Sequence, residues 1–202
     1  MTPDRRNLLQ MSLIGALANF APGGAADAAA PASQNPPGTD DPSHDFDFLF
    51  GAWNVRHHVL KGRLVGSTEW VEFTGTLRAE PLLGGLGNFD DNTLNRPTGF
   101  YRAVTLRAFD PETKTWAIWF LDGRWPHKLD APVIGKFENR IGNFYSDDVN
   151  NGKPVKLRFT WIATDPEAPR WEQALSPDGG KTWETNWRME YVRTARYVPP
   201  AG

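Results

Sequence analysis

Six polar side chains fall on the apolar faces of alternating runs in this chain: His57, Arg102, Asp122, Gln173, Tyr191 and Arg193. A polar group pointing into an apolar interior is costly unless it finds a partner or a ligand, so these six are candidates for a site. Their types suit general acid and base chemistry. His57 can shuttle a proton near neutral pH, and Asp122 or Glu69 can act as a base once burial raises its pKa. Tyr191 can donate a proton, and Arg102 can hold a carboxylate or a developing enolate. Read catalytically, His57, Asp122, Arg102 and Tyr191 form the set for a cofactor-independent lyase, dehydratase or isomerase. The plainer alternative pairs Arg102 with Asp122 across neighbouring strands and assigns neither a reaction.

Other chemistries are excluded by residue type and spacing. The chain has no Cys, so disulfides, thiolate metal sites and a Cys nucleophile are ruled out. His57 and His58 are adjacent on a strand and face opposite ways, and His44 and His127 lie far off in sequence, so no zinc pattern exists and no metal is expected. Asp90-Asp91 and Asp147-Asp148 lack the ligand spacing of a calcium loop and read as solvated turn carboxylates. No G-x-S-x-G occurs, which removes a serine hydrolase elbow.

The elements that must position the six are strands. Period-2 alternation predicts them at about 52–60, 67–80, 99–109, 114–121, 132–138, 142–147, 154–162, 170–176 and 183–193, preceded by a short helical turn over 43–50. Turn-like separators join them, among them Asp110-Pro111-Glu112 and Asn150-Asn151-Gly152. Roughly eight to ten antiparallel strands with short turns make an all-β, single up-and-down barrel, with a sandwich as competitor. Side chains two apart share a face. The inward sets are Trp53, Val55, His57 and Val59; Val71, Phe73, Leu77 and Ala79; Phe100, Val104, Leu106 and Ala108 with Arg102; and Trp116, Ile118 and Phe120 with Asp122. Later strands contribute Val155, Leu157, Phe159 and Trp161; Trp171, Gln173 and Leu175; and Trp187, Met189, Tyr191 and Arg193. From these, Trp116, Phe120, Phe100, Phe159, Trp161, Gln173 and Trp187 are expected to line a ligand cavity. Residues 81–98, with three Gly and five apolar residues, read as a packed loop covering one end.

The amino terminus reads as an address. Arg5-Arg6 followed by an apolar stretch from Leu8 to Ala21 and small residues around Ala26–Ala30 looks like a twin-arginine export signal. The predicted organisation is a signal peptide over 1–30, a Pro-rich linker over 31–42, a barrel domain over 43–196 and a tail over 197–202. Export through the Tat route makes the protein periplasmic or secreted, with no membrane anchor after cleavage. Asp4, Arg5, Arg6 and Asp27 cancel, so the mature chain keeps the net charge of −2, which argues against nucleic acid as a partner.

Gly51-Ala52-Trp53 after a helical turn resembles the G-x-W motif of the calycin superfamily, which includes lipocalins and fatty-acid-binding proteins. That resemblance implies that Trp53 closes the barrel floor under a cation from the last strand, a place that Arg193 matches, so Gly51, Trp53 and Arg193 are expected to shut the barrel. The runs Phe73-x-Gly75-Thr76, Leu82-Leu-Gly-Gly-Leu-Gly-Asn88, Leu106-Arg-x-Phe-Asp-Pro111 and Arg170-Trp-Glu-Gln173 resemble a bacterial calycin-like family of unknown function. Haem-binding members are a poorer match, since the last strand carries no His, and no cofactor is expected. Ser176-Pro-Asp-Gly-Gly-Lys-Thr-Trp183 resembles the Asp box of sialidase propellers, but one copy makes it a hairpin turn.

Two readings follow. In the first, nine Trp and twelve Phe both build a core and wall a cavity for a small apolar or aromatic molecule. In the second, the same cavity turns over such a molecule by acid–base catalysis.

Overall fold

A computed structural model of the chain describes residues 41–200. The expected signal peptide and all but the end of the linker lie outside the described residues. Ten strands make a closed antiparallel barrel: β1 (Gly51–Leu60), β2 (Trp70–Leu82), β3 (Gly87–Arg96), β4 (Gly99–Asp110), β5 (Thr115–Asp122), β6 (Val133–Glu138), β7 (Ile141–Asn150), β8 (Lys153–Ile162), β9 (Arg170–Ser176) and β10 (Glu184–Arg196). Each pairs with its sequence neighbour, and β10 returns to β1, so no edge is left open. The expected up-and-down barrel is therefore the observed one, and the helical turn before it consists of two 3-10 turns, Pro42–His44 and Asp47–Leu49.

Those turns fold the chain across one end. Phe46 is fully buried and meets Trp116 and Phe137 edge-on at 5.0 Å, with Phe144 and Trp161 at 5.8 and 6.0 Å. The Trp53 indole N–H donates to the Leu49 carbonyl at 2.7 Å, and the Trp116 indole to that of Pro42 at 3.0 Å. Arg193 lies 3.9 Å over the Trp53 ring and donates to the carbonyls of Phe48 and Phe50. One cation thus covers the indole and takes up two backbone acceptors of the incoming chain. Gly51 starts β1 at φ 117°, where a Cβ would collide with the Ala195 carbonyl of β10.

Two expectations are corrected. Residues 81–98 are not a covering loop: after a turn at Leu83–Gly85 the chain pairs as β3 between β2 and β4. Asn88, Asp90, Asn92 and Leu94 are its buried, inward residues. The face of β4 is also reversed. Tyr101, Ala103, Arg107 and Phe109 are buried, whereas Phe100 is 64% exposed and Leu106 40%. Both faces of β4 carry apolar residues, and what decides between them is the partner that β3 holds for Arg107. The expected parity of β1, β5, β8, β9 and β10 matches the burial, with Trp53, Val55, His57, Trp116, Ile118, Trp161, Trp171, Gln173, Trp187 and Tyr191 all inside. The Asp178 turn closes as a hairpin, its carboxylate accepting from the backbone N–H of Lys181 and Thr182 and from the Thr182 hydroxyl.

Candidate functional site

Above the floor the barrel holds a cavity of about 80 Å³. That is enough for several waters or a compact molecule, since one water needs only about 10–15 Å³ of such space. Its wall is aromatic on one side, from Phe120 (β5), Phe159 and Trp161 (β8), Trp171 (β9), and Trp187 and Tyr191 (β10). The other side is mixed, with His57, Asp90, Asn92, Thr105 and Arg107 beside Leu77 and Leu94. Gln173 also lines it, its amide donating to Asn186 at 2.8 Å.

Asp90 and Arg107 are the charged pair of this interior, 0% and 2% exposed at their side chains and 2.5 Å apart. Residues Asn88 and Arg107 are opposite in the β3–β4 register, and Asp90 is two along on the same face, so one guanidinium reaches both. Arg107 donates to the Asn88 amide oxygen at 3.0 Å, and the Asn92 amide donates to the Asp90 carboxylate. The guanidinium also sits 5.0 Å over Phe46 and 5.5 Å over Trp161, which ties the pair to the floor. Three buried donors here, Asn88 Nδ2, Arg107 Nε and the Trp161 indole N–H, have no hydrogen-bond acceptor among the described residues.

His57 is neutral. Burial, then the charge of Arg96, then that of His58 hold its pKa down to about 3. The Trp187 indole N–H approaches His57 Nδ1 at 3.2 Å, so Nδ1 is the acceptor and the ring proton is on Nε2. Phe73 stacks on the imidazole at 4.6 Å. Tyr191 is also a protonated donor: burial first, and then the Asp90 carboxylate, push its hydroxyl well above the usual phenol range. Among the described residues its acceptor is the weak one of the Met189 sulfur, at 3.7 Å.

Of the residues expected in the site, the structure brings His57, Tyr191, Phe120, Phe159, Trp161, Gln173 and Trp187 to the cavity wall. Trp116 lies in the floor against Phe46 and Phe109. Phe100 points outward with the reversed face of β4. Arg102 is on that outer face too, 60% exposed and paired with Asp91. Asp122 ends β5 and is held by Arg124 at 2.6 Å, which, with further bonds from that residue, keeps its pKa low. Arg102 and Asp122 therefore pair with other residues and not with each other. The residues that sequence reasoning missed are Asn88, Asp90, Asn92 and Arg107. A signal existed in the alternation Asn88-x-Asp90-x-Asn92-x-Leu94, hidden by its turn-like composition.

No protein-family model matches this chain, and no curated protein matches its sequence. Among solved structures it is similar to the S-type phycobiliprotein lyase CPES from Guillardia theta, with a TM-score of 0.50 at 9% identity, over 74% of this chain and 90% of that one. At that identity the likeness is one of fold, and what it shows is a shared barrel architecture.

Proposed function

We propose that this is an exported barrel that encloses a small aromatic or apolar molecule carrying a hydrogen-bond acceptor. The observation that carries the reading is the aromatic-walled cavity with unmatched donors. Trp161 lines it and its buried indole N–H has no acceptor among the described residues, where the Tyr191 hydroxyl has only a thioether. Buried donors in this state cost about 1–3 kcal/mol each, which an acceptor on a bound molecule recovers. Fold likeness to a protein named a lyase is compatible with this binding role and with a reaction in the same cavity.

The acid–base alternative has fewer groups to work with. A His57 with a pKa of about 3 is a donor at neutral pH and a poor proton shuttle, and the carboxylate beside the cavity is Asp90, already engaged by Arg107 and Asn92. Binding is the reading these groups favour. The twin-arginine start supports delivery to the periplasm.

Native mass spectrometry of the protein produced with its own leader tests this reading. A small non-covalent adduct, lost together with a change in tryptophan fluorescence on gentle activation or extraction, is the expected result. A bare chain whose fluorescence responds to no small aromatic probe would sink it.

A further inference from the structure

Above the cavity, at the end of the barrel away from Phe46, the last inward residue of β3 is Arg96. Its guanidinium lies 5.1 Å from the Phe73 ring, 5.5 Å from that of Trp187 and 5.9 Å from that of Tyr101. Trp187 lines the cavity, and Phe73 stacks on His57, which lines it too. Arg96 therefore stands one side chain away from the enclosed space.

Among the described residues this arginine has no carboxylate in an ion pair with it. Ion pairs engage Arg78, Arg102, Arg107, Arg124, Arg188, Arg193 and Arg196, but not Arg96. Its Nε is buried without an acceptor, and its one side-chain hydrogen bond goes to Tyr101. Beside it in the β1–β2 connection is Arg63, whose pKa is lowered by burial first and by Arg96 next. Asp148 and Glu184 offset part of the Arg63 charge and Asp122 feels that of Arg96, but among the described residues none of them forms an ion pair with either guanidinium: Glu184 accepts the Leu64 backbone N–H at 2.6 Å, Asp122 is clamped by Arg124, and Asp148 accepts the Val149 backbone N–H at 2.7 Å. Two partly desolvated guanidiniums that feel each other's charge repel, and an anion held by Arg96 relieves both the repulsion and its unmatched donor. The rings on Arg96 fix its plane, which suits the two-oxygen geometry of a carboxylate.

We propose that Arg96, backed by Arg63, anchors the carboxylate of a compact aromatic monocarboxylate whose ring faces the cavity. This assignment rests on the cavity being a binding site and names the class of molecule it takes. The neutral imidazole belongs to the same design: a His57 cation beside Arg96 would add a third charge to the mouth, whereas the Nε2–H adds a donor.

The test titrates the full chain with benzoate, its neutral counterpart benzamide, and inorganic phosphate, by calorimetry and tryptophan fluorescence at low salt. Benzoate is expected to bind about tenfold or more tightly than benzamide. Arg96→Gln abolishes that preference, Arg96→Lys restores part of it, and Arg78→Gln, on the outer wall, leaves it intact. Should Arg96→Gln fail to fold, Arg63→Gln is read instead and is expected to weaken benzoate several-fold with benzamide unchanged. Equal binding of the two aromatic probes, or a preference that survives both substitutions, overturns the anchor and leaves the binding cavity standing. Phosphate bound as tightly as benzoate overturns the aromatic class, since the ring then contributes nothing. If neither aromatic probe binds, the cavity reading falls and the anchor with it.

Discussion

The buried Asp90–Arg107 pair is the residue-level feature on which the interior depends. Removing one member leaves an uncompensated charge buried inside the barrel, a change that costs about 3–5 kcal/mol, whereas replacing both by apolar groups of similar volume is often nearly neutral. Asp90→Leu and Arg107→Met are each expected to lose stability in that range. The double variant is expected to recover much of the loss, because Phe46 and Trp161 already give the floor an apolar surround. A double-mutant cycle by urea denaturation measures the coupling, and additive losses would show that the two side chains act separately. The surface pair Arg102–Asp91, 60% and 36% exposed, sets the contrast: its loss is expected within about 1 kcal/mol. The same chemistry thus matters at one pair and hardly at the other, and burial is the difference.

At the scale of elements, β2 and β3 meet where the site needs them close. Gly75 faces Leu94 across that pairing, and a Cβ there would collide with the Thr93 carbonyl oxygen and lie 2.9 Å from His57 Nε2. Gly75→Ala is therefore expected to cost about 1–3 kcal/mol and to disturb the stacking of His57 on Phe73, seen as a lower denaturation midpoint with an altered near-ultraviolet spectrum. A variant as stable as the parent would mean that β3 moves aside freely. The strand that supplies Asp90 was the one the sequence hid. β1, β8, β9 and β10 were legible because large apolar residues alternate cleanly with polar ones, so Trp53, His57, Trp161, Gln173 and Tyr191 could be placed by counting in twos. β3 reads as Gly87-Asn-Phe-Asp-Asp-Asn-Thr, mostly residues of low strand propensity whose inward positions are polar, and pairing on both sides makes it a strand. The error on β4 followed from it: without an inward Asp90, nothing favoured turning Arg107 inside and Phe100 out. The candidate site was half legible for the same reason, its aromatic wall read from periodicity and its ion pair hidden in a contact between two strands.

For the molecule as a whole, the buried imidazole sets a direction for acid stability. His57 has a folded pKa of about 3 against about 6.5 for an unperturbed imidazole. Between these values the unfolded chain binds a proton that the native barrel refuses, so the contribution of His57 is complete above pH 6.5 and is lost as pH falls toward 3. The separation bounds the loss at roughly 5 kcal/mol. Burial is the first cause and the charge of Arg96 the next, and geometry agrees: a proton on Nδ1 would oppose the Trp187 indole N–H. Asp45 works in the other sense. Burial first, then Asp41 and Asp47, raise its pKa to about 6, so the native state gains from its protonation as pH falls below that value, though its half-exposed position weakens the effect. Unfolding free energies measured from pH 7.5 to 4 in the parent and in His57→Gln separate the two contributions. Gln removes the titration, so its profile is expected to be shallower than that of the parent below pH 6.5, whatever its stability at neutral pH, with any remaining slope due to the carboxylates. Parallel profiles would mean that His57 is protonated as readily in the barrel as outside it, and the neutral donor assigned to the cavity wall would have to be given up.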